Sequence, residues 1–371
     1  MSDTASSASQ PDPASRPDAS AAVTWVDPQR HAAFMHWLGQ IGHGLDPASV
    51  RLASADASFR RYLRIDSADG TRIIMDAPPD KENCEPFVQV AELMAGAGLR
   101  VPQVLAWDRT QGFLLLSDLG RQTMMQAIDR DNAQANLALY LQAVDALVTW
   151  QRASRPGVLP PYDEALLQRE LGLFPQWYLQ QHRSVKPDAR MQETLATTFA
   201  RIVRENLGWP SVYVHRDFMP RNLMMPTPCG SQTVAALGVL DFQDAVFGPV
   251  TYDIASLMRD AFLSWDEEFV LDVTIRYWEK ARAAGLPVGS DFGAFYRGVE
   301  WMGLQRHLKV AGIFSRLTLR DGKPQYLADT PRFIQYIRAT SARYRELKPL
   351  LRLVDQVEGI EERGGFAYGR M

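Results

Sequence analysis

The sequence predicts an α+β chain in two lobes: a small antiparallel sheet with one helix across it, then a large, mostly helical lobe. Three observations carry this expectation. Residues 58–66 and 72–77 read as strands around an Asp69-Gly70 turn, the first of them alternating apolar and polar. Past Asp118-Leu119-Gly120 the apolar period lengthens to that of helices. The helical part is broken by strand-like runs at 211–214, 223–225 and 239–240, and the polar residues His215, Asp217, Asn222 and Asp241 stand beside those runs. A chain of 371 residues, 46% of them apolar, is long enough for two such lobes, with expected limits 23–117 and 118–371.

Taken in order, residues 1–22 are rich in Ala, Ser, Asp and Pro and have almost no large apolar side chains to repay ordering, so a disordered tail is expected. From Asp27 a short helix places Ala33, Phe34, Trp37 and Leu38 at helical spacing and ends near Gly42-His43-Gly44. Residues 49–54 read as the first strand. In 58–66 the alternation sets Phe59, Arg61, Leu63 and Ile65 against Arg60, Tyr62 and Arg64, and Pro78-Pro79 closes the strand that returns. A helix over 86–97 carries Phe87, Val90, Leu93 and Met94, with Gly98 placed as its C-cap. Strands at 103–107 and 113–117 complete a five-stranded sheet. In the second lobe Leu137, Leu141, Val144 and Val148 form one helical stripe, and further helical patterns cover 165–178, 191–207, 252–262, 267–284, 295–319 and 332–347.

Composition removes several function classes. A net charge of -3 lacks the basic surface of a nucleic-acid binder. No apolar run approaches the ~20 residues that span a bilayer. The N-terminus has no basic patch leading into an apolar segment, so a cytoplasmic location is expected. Two cysteines, Cys84 and Cys229, have no metal-ligand spacing and read as incidental thiols. Nothing in the sequence implies an obligatory protein partner.

The chemistry lies in Tyr213-Val214-His215-Arg216-Asp217-Phe218-Met219-Pro220-Arg221-Asn222 and, close behind it, Leu240-Asp241-Phe242-Gln243-Asp244. The spacing is that of the H-R-D-x-x-x-x-N and D-F-x elements of kinase-like phosphotransferases. Phosphoryl transfer asks a protein for a base beside the acceptor hydroxyl and for hard oxygen ligands to Mg²⁺; Asp217 suits the first task, Asn222 and Asp241 the second. These residues resemble the aminoglycoside phosphotransferase and choline kinase superfamily, the small-molecule branch of the protein-kinase-like fold. The resemblance implies ATP as co-substrate, Asp217 as base, Asn222 and Asp241 as metal ligands, and His215 and Asp253 as braces of the loop. Arg216, with no phosphorylated loop to bind, is expected to be a structural ion-pair partner. Only about twelve residues separate Asp241 from Asp253 and no A-P-E element follows, which favours a small-molecule acceptor over a protein.

The chain also departs from the superfamily. The turn at 53–58 replaces the glycine-rich loop, leaving Ser54 and Ser58 to present backbone N–H groups to phosphate. Met75 or Asp76 stands where the phosphate-binding lysine is expected. If Glu92 is the partner glutamate on the helix, its cation must be Arg60, Arg64 or Arg72. Ser117 and Leu119 fall in the segment whose peptide groups pair with adenine in the family.

A closer resemblance runs through Ala57-Ser58-Phe59-Arg60-Arg61-Tyr62, Met75-Asp76-Ala77-Pro78-Pro79, the two motifs above and Trp301-Met302-Gly303-Leu304-Gln305-Arg306-His307-Leu308-Lys309. These stretches look like the anomeric N-acetylmuramate/N-acetylglucosamine kinases of bacterial peptidoglycan recycling. That implies ATP-dependent phosphorylation of the C1 hydroxyl to the α-1-phosphate. The lactyl carboxylate of N-acetylmuramate calls for a cation, and Arg306, His307 and Lys309 are available on one helix, although a solvated helix face explains them equally simply. Asp244 reads either as a substrate contact or as a solvated turn residue. The competing functions are a kinase of another small hydroxyl compound, such as an aminoglycoside or amino alcohol, and a non-catalytic nucleotide-binding scaffold.

Overall fold

The computed structural model describes residues 23–55, 59–226, 228–229, 232–233 and 236–360; the tail expected over 1–22 and the phosphate contact expected at Ser58 lie outside the described residues. The chain forms two compact units, Met1–Gly96 with Arg100–Gly120, and Ala97–Leu99 with Arg121–Met371.

The first unit is the expected antiparallel sheet. Strands β1 (Leu45–Ala55), β2 (Arg61–Ser67), β3 (Gly70–Asp76), β4 (Val104–Asp108) and β5 (Phe113–Ser117) stand in the order β1-β2-β3-β5-β4. Helix α1 (Pro28–Ile41) begins under an Asp27 cap, whose carboxylate accepts from the Gln29 N–H at 2.8 Å. It lays Phe34, Trp37 and Leu38 on Leu63, Ile65, Ile74, Phe113 and Leu115, which makes one core from the inward positions of three strands. Residues Phe113, Leu114, Leu115 and Leu116 are all buried, so β5 is covered on both faces. Helix α2 (Glu85–Gly96) buries Phe87, Val90, Ala91 and Met94. Phe59, expected inside a strand, is instead exposed just before β2.

The position expected to lack a lysine carries an acid that is fully buried. Asp76 is 1% exposed and is held by two guanidinium groups, Arg30 of α1 and Arg61 of β2. Arg30 also donates to the Gln111 carbonyl at 2.6 Å and lies over the Phe113 ring at 3.9 Å. A carboxylate stripped of water is tolerated only when paired this way. Asp76 therefore locks α1 to the sheet.

The second unit contains α3 (Met124–Ala127), α4 (Leu137–Arg152), α5 (Glu164–Leu171), α6 (Ala189–Leu207), α7 (Tyr252–Met258), α8 (Glu267–Ala283), α9 (Phe292–Leu319), α10 (Thr330–Arg343) and α11 (Lys348–Glu358). Its strands come as ribbons: β6 (Ser211–Val214) with β11 (Val246–Pro249), β7 (Leu223–Met224) with β10 (Gly238–Val239), and β8 (Pro228–Cys229) with β9 (Gln232–Thr233). The helix expected over 165–178 is two pieces, α5 and a π-helical stretch Phe174–His182. Pro175 provides the reason, because it brings no N–H to the ladder and its ring crowds the preceding turn.

Helix α9 runs through the middle of this unit. It approaches its neighbours closely where it has no side chain: a Cβ on Gly312 would lie 2.4 Å from the Leu173 carbonyl oxygen, and one on Gly298 would lie 2.3 Å from Nε1 of Trp209. Gly312→Ala should therefore destabilise the protein by about 1–3 kcal/mol in urea unfolding, since backbone must shift to admit the methyl group. Gly39→Ala, exposed on α1 with nothing within 4 Å, should instead stabilise by about 0.5–1 kcal/mol.

Candidate active site

The two ribbons assemble the site. Pairing of Leu223 with Val239 sets Asn222 beside Asp241, and pairing of Val214 with Val246 returns the chain under the segment that carries Asp217. The Leu240 N–H closes the first junction on the Asn222 carbonyl at 2.9 Å. The Asn222 amide nitrogen donates to the Asp217 carbonyl at 2.9 Å and to Asp241 Oδ2 at 3.3 Å. Gln243 Nε2 donates to Asp241 Oδ1 at 2.9 Å. Asp217, Asn222 and Asp241 are thus one hydrogen-bonded group, although 24 positions separate the first from the last.

The loop is held from below by α7. Asp253 is fully buried and accepts two backbone amides, the His215 N–H at 2.7 Å and the Arg216 N–H at 3.0 Å. Burial pushes its carboxyl up to about 7, against the pull of those two amides and of Arg306. His215, also fully buried, sets its Nε2 3.0 Å from the Leu240 carbonyl, and its Nδ1 faces the Asp217 N–H at 3.2 Å. That pattern fixes the neutral Nε2–H tautomer, and desolvation lowers the ring pKa to about 4. Arg216 and Asp241 take φ of 77° and 64°, left-handed values that a side chain adopts only where its surroundings enforce them.

Above the loop lies a buried charge cluster that the sequence did not announce. Glu170, from α5, accepts from Arg216 at 2.5 Å, from Lys309 at 3.0 Å, from Gln305 at 2.9 Å and from the Tyr162 hydroxyl. Burial pushes the Glu170 carboxyl up, but Lys309, Arg216 and Tyr162 bring it down to about 2. Lys309 reaches the Tyr252 hydroxyl at 3.3 Å as well. For Asp217 burial again raises the pKa, and Lys309, Arg306 and Arg216 outweigh it, so the carboxyl lies below its ordinary range and is ionised at neutral pH. Arg216 is therefore an ion-pair partner, of Glu170.

The solvated face expected on the helix with Arg306, His307 and Lys309 is overturned: all three are buried, because the middle of α9, residues 298–309, is covered on every side. Arg306 donates to the Arg216 carbonyl at 2.6 Å and lies over the Tyr252 ring. His307 is away from the loop, stacked on Tyr336 at 4.5 Å and set against the Arg259 carbonyl at 3.2 Å; burial lowers it to about 3. Asp244 is exposed, and its backbone carbonyl faces Arg216 at 3.5 Å.

The residues expected to serve the nucleotide lie in the first unit. Glu92 is exposed on α2 and is not the acid beside the candidate cations; Glu82 takes that place, 3.1 Å from Arg60. Arg64 is committed to Asp118 at 2.6 Å, with Thr71 and the Gly120 N–H on the same carboxylate. Arg72 donates to the adjacent Thr71 carbonyl. Ser117 caps the Gln103 N–H through its hydroxyl, and the Leu119 carbonyl accepts from Arg100. Ser54 lies in β1.

A model of the phosphotransferase enzyme family matches residues 49–287. The chain is 47% identical over 92% of its length to an N-acetylmuramate/N-acetylglucosamine kinase of Neisseria meningitidis, matched along its whole length. It is 50% identical over 82% of its length to the protein of the same name from Pseudomonas aeruginosa, of which 87% is matched. Among solved structures, a putative aminoglycoside phosphotransferase from Ralstonia eutropha superposes with a TM-score of 0.55 at 12% identity, covering 91% of this chain and 99% of that one. That likeness shows the fold, as expected from the sequence.

Asp253→Asn keeps the shape but turns one acceptor into a donor facing a backbone N–H. It should lower stability by about 1–3 kcal/mol in denaturant titration and reduce kcat with it. Glu170→Gln leaves Arg216 and Lys309 buried without their anion and should destabilise by about 3–5 kcal/mol. Glu92→Gln, at an exposed position, should shift the same unfolding midpoint negligibly.

Proposed function

Since the chain belongs to the phosphotransferase enzyme family, we infer that it is an ATP-dependent amino-sugar kinase acting on N-acetylmuramate and N-acetylglucosamine, with the anomeric C1 hydroxyl as acceptor. The observation that carries this reading is the intact Asp217, Asn222 and Asp241 group in a chain that matches kinases of that name almost end to end. A scaffold without turnover has no need of that group. With ATP as donor, the reaction belongs in the cytoplasm.

The residues fit a magnesium site. Both hydrogen bonds of the Asn222 amide run through Nδ2, which turns its oxygen to the other side, and Asp241 brings two carboxylate oxygens, hard ligands of the kind Mg²⁺ takes, to the same place. Among the described residues no cluster of three or more His, Cys, Asp or Glu side chains is arranged for a metal, as suits an ion that relies on phosphates and water for its other ligands. Asn222 and Asp241 would hold Mg²⁺, which when bound neutralises charge on the phosphates.

The chain's own groups do the rest. Ionised Asp217 accepts the proton of the sugar hydroxyl as O1 bonds to the γ-phosphorus and the bond to the β,γ-bridging oxygen breaks, leaving ADP. His215 and Asp253 hold the peptide that carries the base, and positioning to within an ångström is worth as much as the proton transfer itself. An anomeric hydroxyl is more acidic than an ordinary alcohol, which suits a carboxylate as weakly basic as this one.

Incubation with ATP, Mg²⁺ and N-acetylmuramate or N-acetylglucosamine should give a sugar 1-phosphate in the ³¹P spectrum. Asp217→Asn should lower kcat by about 10²–10⁴ with little change in either KM. Phosphorylation of choline or an aminoglycoside in place of both sugars would overturn the reading.

A further inference from the structure

Among the described residues of the second unit, Asp260 is the acid that the mechanism leaves unused and that has a buried side-chain oxygen without a hydrogen-bond partner. It is 2% exposed and follows α7, the helix whose first turn grips the catalytic loop. Its Oδ1 accepts the Phe262 N–H at 3.0 Å, closing a tight turn that Arg332 pins by donating to the Ala261 carbonyl at 3.2 Å. Its Oδ2 is buried and has no hydrogen-bond partner. A carboxylate oxygen kept out of water with nothing to bind is expensive, and native structures retain such groups where something else supplies the donor.

The turn faces the catalytic loop. Arg221, which lies between Asp217 and Asn222, holds its guanidinium 4.7 Å from the Phe262 ring, two residues from Asp260. Arg221, and after it Arg306, which is bonded to the Arg216 carbonyl, place positive charge near the Asp260 carboxyl. The acid therefore sits beside the loop that presents the base, and no cation is bonded to its free oxygen.

We propose that Asp260 is a specificity-determining residue that accepts, through Oδ2, a hydrogen bond from a ring hydroxyl of the acceptor sugar. The proposal rests on the amino-sugar reading above. A neutral hydroxyl suits the place better than an ammonium group, because Arg221 and Arg306 already supply positive charge. Binding one hydroxyl of the ring orients the C1 hydroxyl with respect to Asp217.

Asp260→Asn preserves the acceptor for the Phe262 N–H and removes the acceptor for the sugar. Its KM for N-acetylglucosamine should rise about ten- to a hundredfold, with the ATP KM within about twofold of wild type. The 3-, 4- and 6-deoxy analogues identify the hydroxyl: one of them should raise the wild-type KM by a similar factor and cause no further rise in Asp260→Asn. An unchanged sugar KM in a folded Asp260→Asn protein overturns the proposal and leaves the kinase reading intact. Should the variant not fold, the wild-type series decides, since three deoxy sugars that all bind like the parent leave no hydroxyl for Asp260. Absence of wild-type turnover with either amino sugar removes the kinase reading and the subsite together.

Discussion

Two adjacent backbone amides donating to one buried carboxylate, Asp253, set the geometry on which the larger unit depends. The bond fixes Arg216 in a left-handed conformation, and that turn brings Asp217 to the side where Asn222 and Asp241 converge. From the other side Arg306 takes the Arg216 carbonyl, so one residue is held at both its N–H and its C=O by side chains from different helices. Glu170 then compensates the cations this arrangement gathers. Electrostatic preorganisation of this kind is completed during folding, so little reorganisation remains for the moment of reaction.

The first unit solves a separate problem with the same means. Where a lysine is expected on β3 it has Met75 and Asp76, and the acid is neutralised inward by Arg30 and Arg61. Arg64 is consumed by Asp118, while Arg60 pairs with Glu82. Arg61 and Arg64 are thus both paired with acids of the same unit, so the charge reversal on β3 is absorbed locally and the sheet keeps its apolar core.

The fold class and the sheet were legible because their signals are local. Alternation in 58–66 assigned Leu63 and Ile65 to the core, and the loop residues His215, Asp217 and Asn222 announce themselves by spacing. What escaped depends on distant partners. Strand β11 is four residues long and ends in Gly248-Pro249, so only its pairing with β6 makes it a strand. Helix α11 places Leu350, Leu353 and Val354 on one face, a pattern that was readable but lies after a break at Tyr344. Glu170 precedes the loop by dozens of residues, and its one local sign is an acid between the buried Leu167 and Leu171. The burial of Arg306 and Lys309 could not be read from a helical wheel, because a wheel assumes that one face meets water and the middle of α9, residues 298–309, has none.

The left-handed backbone of Asp241 bears on how this protein responds to selection. A side chain held at such a φ stores of the order of 1–3 kcal/mol, which glycine would release. A directed-evolution campaign scored on thermal tolerance alone would be drawn towards glycine there and would discard the carboxylate proposed to hold Mg²⁺. Durability and turnover pull this position in opposite directions, so libraries built on this scaffold need an activity screen in every round.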